Sequence, residues 1–278
     1  MPKEAGSKDI YRTYRRSRPG LYCFRVAVGE TDLWIEASWD CQKEVERLVK
    51  YQRRQVKSYI HTHPGFLTTL EPWPDDPKAP EVVARMITAS RQAGVGPMAA
   101  VAGAINYCVG LSLLNGEGPK ESGQRGTVNK ESFQRELLIE NGGDLFISGS
   151  RQRIVAIYAG ESPFSWRIGV RIDMGSYLQN GHSYMGICTS AGRVGHSLSM
   201  GQADAAVILS TDPVLADAVA TATANRIQTP QDLKTAMEFA ASIPQVTGAL
   251  LVCGEKLAAW GDLQVVNLAE EIKEGEEE

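Results

Sequence analysis

A stretch without a single charged residue runs from Gly94 to Gly116 and limits what the chain can fold into more than any other feature. Its length meets the criterion for a membrane span. However, Ala and Gly dominate it, Pro97 and Asn106 interrupt it, and it lacks the density of Leu, Ile and Phe that favours membrane insertion. We therefore predict a buried, closely packed helix from Pro97 to about Leu114, and we expect no membrane partner.

The overall composition is that of a globular protein. Of 278 residues, 43% are hydrophobic and 22% are charged, and the net charge is -4. This balance excludes disordered, collagen-like and coiled-coil classes and gives no global positive field that would recruit nucleic acid. Five widely spaced cysteines without a Cys-x-x-Cys pair indicate neither a disulfide framework nor a thiolate zinc site. The charged N-terminus has the wrong order for a secretory signal, so we expect a cytoplasmic protein.

The first half of the chain predicts a β-hairpin followed by helices. Aromatic and β-branched residues are concentrated in Leu21–Val28 and Asp32–Ala37, which a short glycine turn separates. Apolar residues at helical spacing predict a helix from Cys41 to Tyr59 and a second from about Glu81 to Ala93. Gly94 is then in place for a left-handed helix cap.

The second half predicts short strands separated by glycines, with two helices between them. The expected strands are Leu137–Glu140, Leu145–Ser148, Ile154–Tyr158, Arg167–Ile172, Tyr184–Cys188, Ala205–Leu209, Gly248–Cys253 and Leu263–Asn267. Helices are expected at Pro213–Asn225 and from Thr229 onward. We find neither an internal repeat nor a linker. We therefore predict a single α+β domain over residues 1–278, with a flexible insertion at about 115–127 and a disordered acidic tail at about 270–278.

The segment from Glu140 to Asp144 places two glycines between predicted strands. The backbone N–H groups of Gly142 and Gly143 could face an anion, while Asn141 and Asp144 offer oxygen atoms to a metal. The same residues are equally compatible with a type I′ hairpin turn, which Asn-Gly also encodes. Spacing alone leaves both interpretations open.

A second segment, Gly186–Ser197, combines glycines with hydroxyl groups, an arginine and a histidine. Thr189, Ser190 and Arg193 are donors of the kind that a phosphate or oxyanion cradle needs. Loops rich in Gly and Ser are common, so this pattern favours ligand binding without establishing it.

Several side chains are candidates for catalysis or metal binding. His196 is our candidate for a base or a phosphate donor. Cys188 is a candidate nucleophile, although a cysteine at the end of an apolar strand is more often buried and inert. His61 and His63 could ligate a metal, but few further ligands lie near them in the sequence, so we interpret them as structural.

Asp217 and Thr221 lie four residues apart on a predicted helix and therefore project from one face. A carboxylate and a hydroxyl in this arrangement could share one hard cation, and magnesium suits two protein oxygens supplemented by water and phosphate. The alternative is that an acidic residue near the start of a helix simply stabilises the helix dipole.

Taken in order, these segments resemble an ApbE-like family of unknown function, related to the FAD:protein FMN transferases of the thiamine-biosynthesis lipoprotein ApbE superfamily. The resemblance spans most of the chain and rests on Gly94–Gly103, Glu140–Asp144, Cys188–Ser199 and Ala216–Thr221 together. It implies an α+β, T-fold-related single domain in which antiparallel sheets are flanked by helices, with a ligand cleft between them.

The resemblance also implies roles for individual residues. In the flavin transferases an Ala-Asp-Ala-x-Ala-Thr segment supplies a carboxylate and a hydroxyl to magnesium, which casts Asp217 and Thr221 as metal ligands. The cleft wall for the flavin dinucleotide would consist of Asn141, Gly142, Gly143, Thr189 and Ser190. A Lys-Gly-x-x-x-Asp motif of the transferases corresponds here to Ala102–Tyr107, which lacks both the lysine and the acid.

Three functional hypotheses follow. The first is a magnesium-dependent transferase that acts on a phosphorylated or nucleotide ligand such as FAD, with His196 or Arg193 stabilising developing charge. The second comes from the resemblance and is a role in sulfur assimilation through homocysteine formation, which would promote Cys188. The third is a protein that binds flavin or a partner without catalysis, which the missing lysine and acid favour. We expect a small-molecule ligand, no nucleic acid, no membrane, and a homodimer.

Overall fold

The computed structural model describes residues 20–116, 135–192 and 201–271. In chain order the strands are β1 (Tyr22–Val28), β2 (Thr31–Ala37), β3 (Leu137–Asn141), β4 (Asp144–Ser148), β5 (Arg153–Ala156), β6 (Ile168–Ile172), β7 (Tyr184–Ser190), β8 (Ala205–Ser210), β9 (Val246–Cys253), β10 (Lys256–Gly261) and β11 (Gln264–Asn267). The α-helices are α1 (Gln42–Thr62), α2 (Gly65–Thr68), α3 (Glu81–Ala93), α4 (Val101–Asn115), α5 (Met174–Gln179), α6 (Pro213–Asn225) and α7 (Leu233–Ser242). Short 3₁₀ segments, Pro97–Ala100 and Pro230–Asp232, precede α4 and α7.

The described strands form two antiparallel sheets. The larger sheet has eight strands in the order β1-β2-β3-β4-β7-β8-β9-β10, and the smaller has three in the order β11-β6-β5. All paired strands run antiparallel. The predicted α+β class, with antiparallel sheets flanked by helices, is confirmed.

The central strands of the large sheet are covered on both faces. In β3, Leu137 and Ile139 pack with residues of α1 and α4, whereas Leu138 packs with residues of the small sheet. In β4, Phe146 faces the helices and Ile147 faces the small sheet. Because side chains alternate along a strand, two covered faces require a continuous apolar run. This three-layer arrangement explains why these strands show little apolar–polar alternation.

The charge-free segment forms a core helix, as predicted. Pro97–Asn115 is long and apolar enough to cross a membrane, but 67% of its most apolar window is buried inside the protein. Gly103 lies where α4 crosses α6, and a Cβ at this position would come within 2.5 Å of the Pro213 carbonyl oxygen. The small residues of α4 therefore allow two helix backbones to approach closely.

Most of the other predicted helices and strands are present in the structure. The hairpin, the helix Pro213–Asn225 and the left-handed Gly94, at φ 71°, are confirmed. Strand β10 and helices α2 and α5 were not expected, and β7 continues two residues beyond the predicted end at Cys188. Apart from their first two residues, the expected insertion and the acidic tail lie outside the described residues.

Candidate functional site

Asp144 is the first residue of β4 and lies at the β3–β4 turn, on the helix-facing side of the large sheet. Asn141 pairs with Asp144 across the β3–β4 turn, and Leu145 pairs with Ile187 between β4 and β7. Continuing this register by one residue places Asp144 opposite Cys188. Asp144 lies two residues before Phe146 and on the same face of β4, so its carboxylate faces the helices, with Asp217 of α6 close by.

Asp217 approaches the same place from α6. Its carboxylate accepts hydrogen bonds from the backbone N–H groups of Gly103, at 2.8 Å, and Ala102. Both donors belong to the first turn of α4, whose N–H groups have no partner within the helix. Asp217 therefore caps α4 from a neighbouring helix, and Gly103 is required because a Cβ there would lie 2.9 Å from the Asp217 Cβ.

Asp144 is held by two further contacts. Asn106 of α4 donates from Nδ2 to the Asp144 backbone oxygen at 2.9 Å. The Thr189 backbone N–H donates to the Asp144 carboxylate, which lowers its pKa. Burial acts in the opposite direction and outweighs this bond, so the pKa of Asp144 lies well above its ordinary value.

Asp144 and Asp217 form a buried, electrostatically coupled carboxylate pair. Burial raises the pKa of both, and the negative charge of Asp217 raises that of Asp144 further. Within the described ranges, no lysine or arginine makes an ion pair with either carboxylate. Two like charges removed from water without a cation are costly, so the pair must bind protons or a positively charged ligand.

The donor set fits a hard cation such as magnesium. Asp144 and Asp217 supply two carboxylates, and Thr221, also buried, lies one helical turn beyond Asp217 on the same face of α6. Groups of three or more His, Cys, Asp or Glu residues able to hold a metal are absent from the part of the chain that the structure describes. Magnesium does not require such a group, since it is usually bound through one or two carboxylates together with water and phosphate.

The two glycines of the β3–β4 turn have a different use from the anion cradle considered above. Gly142 and Gly143 adopt φ values of 67° and 106°, which the two-residue hairpin turn requires. The Gly143 N–H, expected to face an anion, instead donates to Glu140 Oε1 at 3.0 Å. The hairpin interpretation therefore accounts for both glycines. The Glu140 carboxylate accepts the hydrogen bond of the Gly143 N–H, which is then no longer available to an anion.

Thr189 and Ser190 were expected to line one wall together, but they point to opposite faces of β7. Ser190 alternates with Thr189 and shares the helix-facing side with Cys188. Its hydroxyl oxygen is buried and has no hydrogen-bond partner among the described atoms. Ser190 is therefore better placed than Thr189 to contact a ligand at the carboxylate pair, whereas Thr189 contributes its backbone N–H.

Cys188 is fully buried, as expected for a cysteine at the end of an apolar strand. Its thiol lies 3.6 Å from the Pro213 carbonyl oxygen. Burial raises the pKa of the thiol well above its ordinary value, and the nearby charges of Asp144 and Asp217 raise it further. These surroundings keep the sulfur protonated and do not favour a nucleophilic role.

The remaining predicted residues, Arg193 and His196, lie outside the described residues. In contrast, sequence reasoning overlooked Asn106 as a site residue. Its side-chain oxygen is buried without a partner in the described part of the protein, although its nitrogen anchors Asp144. The sequence did contain a signal for it, because a buried amide in an otherwise apolar core helix needs a polar partner.

Comparison with known proteins gives a consistent family. The sequence model of a protein family described as AbpE bacteria matches residues 14–247. A UPF0280 protein of Methanocella arvoryzae is 39% identical over 211 residues, which cover 76% of this chain and 77% of the relative. A UPF0280 protein of Methanococcus aeolicus is 32% identical over 252 residues, which cover 89% and 94%.

Two solved structures show a more distant likeness. The apo flavinyl transferase ApbE of Pseudomonas stutzeri has a TM-score of 0.49 at 13% identity and covers 87% of this chain and 94% of its own. The ApbE protein of Thermotoga maritima has a TM-score of 0.48 at 13% identity, with 86% and 96% covered. Similarity at this level does not assign an activity to this chain.

Proposed function

Because the chain belongs to an ApbE-like family of unknown function, we propose that it binds a divalent cation, magnesium by preference, between Asp144 and Asp217. Through this cation it binds a phosphorylated, nucleotide-like ligand, for which FAD is the first probe. The observation that carries the proposal is the buried carboxylate pair, which has no lysine or arginine partner in the described ranges.

The negative charge at the site favours a cation over a phosphate group alone. A phosphate group would be repelled by the two carboxylates, and Glu140 adds a third buried acid close to Asp144. A bound divalent cation would neutralise the pair and attract phosphate oxygens, which is the chemistry that magnesium supplies in nucleotide sites. The chain itself contributes the rigid positions: Asp217 is fixed by the first turn of α4 and Asp144 by Asn106.

Two buried groups beside the pair support a ligand. The Ser190 hydroxyl and the Asn106 side-chain oxygen lack hydrogen-bond partners within the described part of the chain. A buried polar atom that stays unpaired costs about 1–3 kcal/mol, so such atoms call for a partner that the protein alone does not provide. Water on the cation, or polar atoms of the ligand, would satisfy both.

Binding without turnover is the second candidate. Helix α4 has Ala102 where the resemblance expects a lysine and Tyr107 where it expects an acid. This uncharged stretch favours a ligand carrier. A role in sulfur transfer would require a reactive Cys188, and the buried, protonated thiol gives it no support.

Titration calorimetry on the purified protein tests the proposal, first with magnesium and then with FAD in the presence of magnesium or a chelator. Asp144→Asn and Asp217→Asn should each weaken magnesium binding by at least about tenfold, because each removes one of the two charges that attract the cation. Thr221→Val should weaken it less. FAD binding should require magnesium.

Asp204→Asn is the matched control. Asp204 is also buried and accepts a hydrogen bond from a backbone N–H, that of Gly254, at 2.6 Å. The Asp204→Asn substitution should leave the magnesium titration unchanged. Magnesium binding that survives in both site variants would refute the cation site, and FAD binding that persists in chelator would refute the metal-held ligand.

A further inference from the structure

A polar cleft lies between the C-terminal end of α1 and the loop that joins α2 to α3. Its volume is about 390 Å³, and it is lined by Ser58, Tyr59, Thr62, His63, Asp76, Lys78 and Pro80. None of these residues belongs to the carboxylate pair or its supports. The cleft is therefore separate from the carboxylate pair.

Asp76 places an ionised carboxylate in this cleft. Its Oδ1 accepts a hydrogen bond from the Lys78 backbone N–H at 2.9 Å, and its Oδ2 accepts one from the Tyr59 hydroxyl at 2.9 Å. These two bonds lower the pKa of Asp76, and the nearby charge of Lys78 lowers it further. Each carboxylate oxygen accepts two hydrogen bonds at most in its plane, so both retain capacity for a further donor.

His63 has a fixed orientation beside this carboxylate. Its ring stacks on that of Tyr59 with the centroids 4.3 Å apart. Its Nδ1 lies 2.9 Å from Thr62 Oγ1, and the Thr62 hydroxyl lies 3.0 Å from the Tyr59 carbonyl oxygen. Both contacts are satisfied when the hydroxyl donates to the carbonyl and Nδ1–H donates to the hydroxyl, which leaves Nε2 for a ligand.

Lys78 contributes the opposite charge. In the described part of the protein, neither the Asp76 carboxylate nor the Lys78 ammonium group makes an ion pair, with each other or with any other residue. The neighbouring Asp75, in contrast, lies 3.9 Å from Arg91. One cleft thus presents a negative and a positive group that are close enough to influence one another but are not neutralised.

We propose that this cleft binds a small zwitterion of the α-amino acid class. The ligand's ammonium group would bind Asp76, and its carboxylate would bind Lys78 and the Ser58 hydroxyl. A simple anion would be repelled by Asp76 and a simple cation by Lys78, whereas a molecule that carries both charges satisfies both. The volume lies in the range of small-ligand sites and accommodates a small amino acid.

Calorimetric titration of the full-length protein with L-alanine, propionate and ethylamine tests the proposal. Propionate lacks the ammonium group and ethylamine lacks the carboxylate, so each half-molecule should bind at least about tenfold more weakly than L-alanine. Equal binding of propionate and L-alanine would identify an anion site and overturn the proposal. So would the absence of saturable binding of L-alanine.

Variants locate the binding. Asp76→Asn and Lys78→Met should each weaken L-alanine binding by about tenfold or more, since each removes one charge that the zwitterion needs. Both residues lie on a surface loop, and thermal unfolding of each variant checks that it is folded. Asp75→Asn, next to the cleft but not lining it, is the matched control and should bind L-alanine as the unaltered chain does. Binding that is unchanged in Asp76→Asn would overturn the assignment.

Discussion

Replacing Asp217 with Asn should make the metal-free protein more stable at neutral and alkaline pH. The Asn side chain keeps an oxygen that can accept the Gly103 N–H bond, now 2.8 Å from Asp217 Oδ2, so the cap on α4 is retained. The substitution removes only the buried negative charge. Its effect therefore isolates the electrostatic cost of the carboxylate pair from its structural role.

The size of the effect follows from the pKa of Asp217. Burial raises this pKa from its ordinary value of 3.8 to about 7. Because the folded protein holds the proton more tightly than the unfolded chain, the contribution to stability is fully present below pH 4 and is lost as pH rises through about 7. The full loss corresponds to about 4 kcal/mol of unfolding free energy, of which about 3 kcal/mol falls between about pH 5 and pH 8.

Urea unfolding in the presence of a chelator measures this directly. The unaltered chain should lose unfolding free energy between about pH 5 and pH 8, and Asp217→Asn should show a markedly smaller loss, with Asp144 responsible for the remainder. Asp217→Ala should also lose the helix cap, which costs about 1 kcal/mol more than the Asn variant. Parallel pH profiles for the unaltered chain and Asp217→Asn would refute the argument.

Two further predictions concern packing and thiol chemistry. Gly103→Ala should lower the unfolding free energy by about 1–3 kcal/mol in urea titrations, because the new Cβ would lie 2.5 Å from the Pro213 carbonyl oxygen and push α4 away from α6; an unchanged unfolding midpoint would contradict this contact. Iodoacetamide should label the half-buried Cys23 of the native protein and leave the fully buried Cys188 unmodified, as peptide mass spectrometry can show. Rapid labelling of native Cys188 would instead revive the nucleophile hypothesis.

Local sequence signals predicted most of the helices and hairpins. The bounds of α6 could be read directly, because Pro213 suits the first helical position and Asp212 caps the helix by accepting the Val214 N–H at 2.8 Å. The β1–β2 hairpin likewise follows from its aromatic and β-branched residues and its glycine turn. Such features are set by residues close together in the sequence, so the sequence alone displays them.

Three elements escaped prediction because their local signals are weak, and one of them, α2, is a single turn of four residues. Strand β10 contains Ala258 and Ala259 and lies at an edge of the large sheet with largely exposed side chains, so it lacks the apolar alternation of a covered strand. Helix α5 has six residues and depends on its cap, Asp173, which accepts from the N–H groups of Gly175 and Ser176. One or two turns give too little periodicity to recognise.

Local sequence signals gave candidate residues for the site but not their interactions. Spacing made Asp144 and Asp217 candidates while leaving the alternatives open, and the resemblance gave Asp217 its metal-binding role. Their coupling depends on α6 packing across the ends of β4 and β7, which no local pattern encodes. The roles of Gly103 and Asn106 depend on the same packing, since both are defined by what α4 meets in the folded protein.

The most direct measurement of the central claim is anomalous X-ray scattering from crystals grown with manganese, which replaces magnesium in oxygen sites. The account predicts an anomalous peak within about 2.2 Å of carboxylate oxygens of both Asp144 and Asp217. Crystals of Asp217→Asn should show no peak there. An unaltered chain with ordered Asp144 and Asp217 side chains and no manganese between them would contradict the cation site.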